Sequence, residues 1–126
     1  MEQGYLIDTN AVIDYLDNKL SKEMNQLVDS VESRISVITR MELLAWSGST
    51  EAQTAILQSF INTSVVYQLE ESTILKAIEI RKQFKVKLPD AIIAATALVN
   101  GLVLITSNSK DFKNIPELLI INPHFS

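Results

Sequence analysis

Four acidic residues stand where apolar runs give way to polar sequence: Asp8, Glu42, Asp90 and Asp111. Asp8 ends the run Tyr5-Leu6-Ile7-Asp8-Thr9-Asn10, and Glu42 closes Thr39-Arg40-Met41-Glu42 just after Ile35-Ser36-Val37-Ile38. Asp90 follows Pro89 at the head of a long apolar stretch, and Asp111 lies in Ile105-Thr106-Ser107-Asn108-Ser109-Lys110-Asp111-Phe112. The chain has no cysteine and a single histidine, His124. Thiol catalysis, disulfides and zinc–thiolate sites are therefore excluded; a pair of imidazoles has no second histidine, and His124, close to the C-terminus, is a poor basis for a serine triad. Proton handling falls to carboxylates, with a divalent cation as their natural helper.

Each acid also has a structural explanation. Asp, Thr and Asn are preferred helix starters, which covers Asp8-Thr9-Asn10. Thr39-x-x-Glu42 reads as a capping box. A carboxylate in the first helical turn gains about 0.3–1 kcal/mol from the helix dipole, which covers Asp90. Asp111 suits a polar turn with local hydrogen bonds. What these explanations leave out is the placement shared by all four.

The elements that carry them alternate. Apolar, β-branched runs predict strands at 5–7, 35–38, 65–67, 102–105 and 118–121. Helical spacing predicts helices at 11–17, 21–32, 40–47, 51–61, 71–84 and 89–100. Such alternation predicts an α/β fold with a mostly parallel sheet covered by helices on both faces. Pro89 suits the start of the helix at 89–100 and Asn100-Gly101 its end. Its body, 91–99, is apolar almost all round, which predicts a buried helix.

In a parallel sheet, strand C-termini and the N-termini of following helices share one edge, where ligands bind. Asp8 and Asp111 follow strands, and Glu42 and Asp90 are expected in first helical turns on that edge. Carboxylates gathered there repel one another and raise their own pKa values. A divalent cation relieves this, and ligands that are all oxygen point to Mg²⁺ or Mn²⁺.

At 126 residues, 47% hydrophobic and 21% charged, the chain is expected to form one globular domain over 1–126. No apolar run reaches the roughly 18 residues of a membrane span. Met1-Glu2-Gln3-Gly4 lacks the basic and apolar regions of a signal peptide, so the expected location is cytoplasmic. The net charge of −4 argues against non-specific nucleic-acid binding, but seven of the eleven basic residues fall between Lys76 and Lys113. Arg81, Lys82, Lys85 and Lys87 form either a solvated helix end or a rim that faces phosphate.

Taken together and in order, four stretches resemble the PIN-domain family, and within it the VapC-type toxin ribonucleases of toxin–antitoxin pairs. They are Leu6-Ile7-Asp8-Thr9-Asn10, Ser36-Val37-Ile38-Thr39-Arg40-Met41-Glu42-Leu43, Leu88-Pro89-Asp90-Ala91-Ile92-Ile93-Ala94-Ala95-Thr96-Ala97 and Leu104-Ile105-Thr106-Ser107-Asn108-Ser109-Lys110-Asp111-Phe112. The resemblance implies a metal-dependent endoribonuclease on a three-layer α/β/α sandwich, dimeric and held inactive by an antitoxin protein. The family's first three acids carry over onto Asp8, Glu42 and Asp90. Where many members have a fourth acid, two residues after the threonine, this chain has Asn108, and the next acid is Asp111.

On this reading Asp8 and Asp90 hold one Mg²⁺ or Mn²⁺ and Glu42 completes the set. Thr9, Asn10, Thr106 and Asn108 stand around them. Arg40, Lys85, Lys87 and Lys110 are candidate contacts to RNA phosphates. Two rivals remain. A signalling receiver domain also has an acidic Mg²⁺ pocket, but it wants two adjacent acids after the first strand and a late lysine followed by proline. Here Asp8 is followed by Thr9-Asn10, and Lys110 by Asp111. The other rival is a PIN-like module that binds RNA or protein without cutting, which Asn108 keeps open.

Overall fold

Two strands run straight into helices because Asp8 and Ser36, at their ends, cap the helical turns that follow. The computed structural model describes residues 2–46 and 48–124. Its strands are β1 (Gly4–Ile7), β2 (Arg34–Ser36), β3 (Val65–Tyr67), β4 (Leu102–Ile105) and β5 (Ile120–Ile121). Its helices are α1 (Thr9–Leu16), α2 (Lys22–Ser30), α3 (Val37–Leu44), α4 (Glu51–Asn62), α5 (Glu71–Gln83), α6 (Leu88–Val99) and the single turn α7 (Ser109–Phe112). β1 pairs with β4 and β4 with β5, while β2 pairs with β3, and all three pairings are parallel. β2 packs beside β1, so the strands run β3-β2-β1-β4-β5.

Alternation along the strands builds the layers. Leu6 and Leu104, partners in the β1–β4 register, face a core made with Ala77 and Ile80 of α5, the alanines of α6 and Phe112 of α7. Their neighbours Ile7 and Ile105 face the opposite core, with Ala11 and Val12 of α1, Met24 and Val28 of α2, Leu43 of α3 and Leu57 and Ile61 of α4. The result is the expected three-layer α/β/α sandwich. All four residues of β4 are buried, as a central parallel strand covered on both faces should be.

Two elements position the candidate site. In α6, Ala91, Ala94, Ala95 and Ala97 are fully buried, so this helix lies close against the sheet and brings Asp90 to its edge. Its first residue is Leu88, one before the expected Pro89, and Gly101 closes the far end with φ +64°. A four-residue turn such as α7 has no stability of its own. Phe112, with no exposed surface, anchors it, and burial of such a ring contributes about 1.5–3 kcal/mol.

The sequence expectation fails most clearly at 35–40. Residues 35–38 read as a strand, yet β2 stops at Ser36 and α3 starts at Val37. The Ser36 hydroxyl accepts hydrogen bonds from the N–H groups of Ile38 (3.0 Å) and Thr39 (3.3 Å), and this cap outweighs the strand preference of Val37 and Ile38. The expected end of that helix, Ser47, lies outside the described residues. The expected strand at 118–121 shortens to Ile120–Ile121, although Leu104 N–H still donates to Leu119 O.

Candidate active site

Asp8 is held from three sides. The β1–β4 register sets Ile7 opposite Ile105, so Asp8 and Thr106 emerge together at the strand ends. Asp8 N–H donates to Ile105 O at 2.9 Å, which fixes the backbone. Its carboxylate caps α1, with Oδ1 accepting from Thr9 N–H at 2.8 Å. Oδ2 accepts from the Thr106 hydroxyl at 2.7 Å. Thr106 is itself fully buried, its hydroxyl oxygen accepting from Asn108 N–H (3.0 Å) and its own N–H donating to Ile121 O (3.0 Å). The capping role and the functional role of Asp8 are therefore compatible. A carboxylate oxygen has two lone pairs, and the contacts described use one on each oxygen.

Thr106→Val would leave Oδ2 without a donor while keeping the shape of the side chain. An unsatisfied buried acceptor costs about 1–3 kcal/mol, so the melting temperature should fall. Loss of the group that orients Asp8 should also lower activity about 10–100-fold, with Thr106→Ser restoring both. Full activity in the valine variant would show that Thr106 only fills space.

Glu42 is not part of a capping box. With Ser36 as the cap, Thr39 lies inside α3 and Glu42 in its second turn, not its first. Glu42 instead meets Thr9, whose hydroxyl donates to Oε1 at 2.5 Å. That contact ties α3 to the first residue of α1, beside Asp8.

Asp90 stands half-buried in the first turn of α6. Burial raises its pKa above the ordinary 3.8, and the charges of Asp8, Asp111 and Glu42 raise it further; only Lys87 opposes them. Asp8 is raised as well, first by burial and then by Glu42 and Asp111, with the bonds from Thr106 and Thr9 in opposition. Four carboxylates from four parts of the chain thus act on one another at a single sheet edge. Asn108 caps α7 with its backbone, and Asp111, exposed on that turn, supplies the fourth charge.

Among the described residues no three acids form a ready-made metal cage. Mg²⁺ does not require one, because it keeps several waters and takes one or two carboxylates. The donor set is all oxygen, Asp8 retains unused lone pairs, and the mutual repulsion is of the kind a divalent cation relieves. The residues fit such an ion.

The candidate phosphate contacts separate. Lys87 occupies the cap position of α6 and its charge reaches Asp90. Lys85 and Lys110 are exposed. Arg40 is two residues from Glu42 and so on another face of α3, where it lines a shallow groove with Val37, Met41, Leu44 and Ala45. Arg81, read with the basic run, donates to Val86 O at 2.5 Å and holds the link into α6. Asn10 is exposed on α1. Sequence reasoning missed Ser36 and Thr39 as site-building residues. The signal was present in a capping residue that interrupts the apolar run at 35–38.

The family model described as PIN domain matches residues 5–118 of the chain. A comparison with curated proteins found no match. Among solved structures, a toxin–antitoxin complex from Klebsiella pneumoniae is similar at 31% identity and a TM-score of 0.77, over 95% of this chain and 98% of that one. DNA-bound VapBC from Salmonella typhimurium is similar at 28% identity and 0.80, over 95% and 98%. VapBC-1 from nontypeable Haemophilus influenzae is similar at 28% identity and 0.78, over 94% and 96%.

Proposed function

The chain belongs to the PIN-domain family, with the likeness of a VapC-type toxin, and on that footing we propose that it is a metal-dependent endoribonuclease, the toxin of a toxin–antitoxin pair. One observation carries the reading: Asp8, Glu42, Asp90 and Asp111 converge at the sheet edge and raise Asp8 and Asp90 by burial and repulsion. Perturbed carboxylates grouped in this way mark functional sites more often than structural ones.

Asp8 and Asp90 are the ligands for Mg²⁺ or Mn²⁺, with Glu42 completing the set. When bound, the ion would activate water for attack on a phosphodiester and neutralise charge on the phosphoryl oxygens. Thr106 and the α1 backbone keep Asp8 aimed at the edge, and Thr9 does the same for Glu42. Lys87, at the positive end of α6, offers a cation to a flanking RNA phosphate. The acids exclude an RNA backbone from the pocket unless a cation lies between them.

The likeness to VapBC complexes supports a cognate antitoxin as protein partner. The reading also makes the toxin a homodimer acting on RNA in the cytoplasm; no helix among the described residues is long and apolar enough to cross a membrane. The test is incubation of purified protein with a mixed cellular RNA pool. Discrete fragments should appear with Mg²⁺ or Mn²⁺ and vanish with EDTA. Cutting that ignores EDTA would sink the reading. RNA binding with no cutting at any metal concentration would favour a non-catalytic PIN-like module.

A further inference from the structure

Between Ile80 and Pro89 the chain carries four cations, Arg81, Lys82, Lys85 and Lys87, and no acid, although its net charge is −4. Arg81 and Lys82 sit in the last turn of α5, where the helix dipole favours them. That explanation ends with the helix. Lys85 lies beyond it, and Lys87 occupies the cap position of α6, at the end where the dipole disfavours a cation. Ser, Thr, Asp or Asn there would bond the free N–H groups, and the Lys87 side chain makes no such bond. A residue that breaks a local rule in this way is expected where function requires it. Relief of the repulsion among the acids accounts for Lys87 alone, since Lys85 is not among the charges acting on Asp8 or Asp90.

The link that carries these two lysines is fixed in shape. Phe84 and Val86 are half-buried against the core under α5 and α6, while Lys85 and Lys87, alternating with them, are exposed. Val86 has both backbone groups engaged: its N–H donates to Phe84 O at 3.1 Å, and its carbonyl accepts from the Arg81 guanidinium at 2.5 Å. Phe84 N–H donates to Ile80 O and Ala91 N–H to Lys87 O, both at 2.9 Å, which ties the two ends of the link into the helices. Among the described residues no carboxylate pairs with Lys85 or Lys87. Two unpaired cations on a held backbone can meet a polyanion with little ordering cost, and the link ends beside Asp90.

We infer that residues 84–87 form a preset phosphate track: Lys85 and Lys87 bind two phosphates of an RNA strand on its way to Asp90, and Arg81, through Val86, holds the track in shape. The inference rests on the reading of the chain as a ribonuclease, and it adds the path of the strand and a positioning residue that need not touch RNA. Its test is the salt dependence of binding to a fluorescent single-stranded RNA of mixed sequence, read by anisotropy between 50 and 200 mM salt with Mg²⁺ present. Asp8→Asn serves as the parent protein, so that the RNA stays whole. Each phosphate contact to a single strand contributes about 0.7 to the slope of log affinity against log salt. Lys85→Gln and Lys87→Gln should each lower the slope by about 0.7 and the double variant by about 1.4. Lys22→Gln, on α2 against the opposite core, should leave it unchanged. Arg81→Met should weaken binding severalfold when both lysines are present and less than about twofold in the double lysine variant. Unchanged slopes in the lysine variants, or an equal fall in Lys22→Gln, would overturn the track. An equal loss from Arg81→Met in both backgrounds would overturn its positioning role. A wild-type chain that binds RNA through these lysines and never cuts it would overturn the ribonuclease reading and leave the track standing; one that binds no RNA would overturn both.

Discussion

Asp8→Asn should lower RNA cleavage by about 10³-fold or more while leaving a folded protein. The substitution keeps the shape of the side chain, and one amide oxygen can still accept from Thr9 N–H, so the cap on α1 survives. What is lost is the negative charge at the shared edge, together with the acceptor that Oδ2 offers the Thr106 hydroxyl. A catalytic metal contributes several kcal/mol of charge stabilisation, and each 1.36 kcal/mol is a factor of ten in rate, so loss of about 4 kcal/mol gives about 10³. Single-turnover cleavage of a defined RNA at saturating metal, beside a circular-dichroism melt, measures both halves. A variant that unfolds would confound the experiment, but the geometry argues against that. Asn removes a buried charge whose pKa is raised mainly by burial, so the neutral side chain is easier to bury than the one it replaces. Cleavage within tenfold of the wild type would move the site elsewhere on the molecule.

The sheet edge was legible in the sequence because its parts obey local rules. Tyr5-Leu6-Ile7 and Leu102-Val103-Leu104-Ile105 are strands by composition, and each ends abruptly in polar residues. Parallel pairing then brings Asp8 and Thr106 together without further information. The start of α3 was not legible, since Ile35-Ser36-Val37-Ile38 has the β-branched residues of a strand and only the Ser36 cap reverses it. That two-residue error hid Thr39, which looked like a cap and is a buried hydroxyl in contact with Thr9. It also hid the facing of Arg40, which follows from helical phase and turns away from Glu42. The role of Asp111 depended on α7, a turn too short to show periodicity and held by the burial of Phe112. At α3 the local trace was a single serine, outvoted by the β-branched residues around it, whereas at Asp111 tertiary packing decided and left no local trace.

Metal should raise the melting temperature of the wild type and leave Asp90→Asn almost unmoved, while in EDTA the variant should melt above the wild type. A ligand at about 100 times its dissociation constant adds roughly 2.7 kcal/mol of stability. At about 4 °C per kcal/mol for a domain of this size, the shift is on the order of 10 °C. The reversed order in EDTA follows from linkage. Asp8 and Asp90 both titrate above the ordinary 3.8 in the folded chain, so the folded state holds their protons more tightly than the unfolded state does. The stability these two groups contribute is fully present below about 3.8 and is lost as pH rises through their raised folded values. At neutral pH the metal-free wild type therefore carries a repulsion that Asn at position 90 does not. In EDTA the difference in melting temperature between variant and wild type should widen as pH rises through that window and stay level above it. Scanning calorimetry from pH 4 to 8, with EDTA and with Mg²⁺, reads every part of this. A wild type indifferent to Mg²⁺, or an Asp90→Asn protein stabilised by it equally, would mean that the acids at this edge are not gathered around a cation.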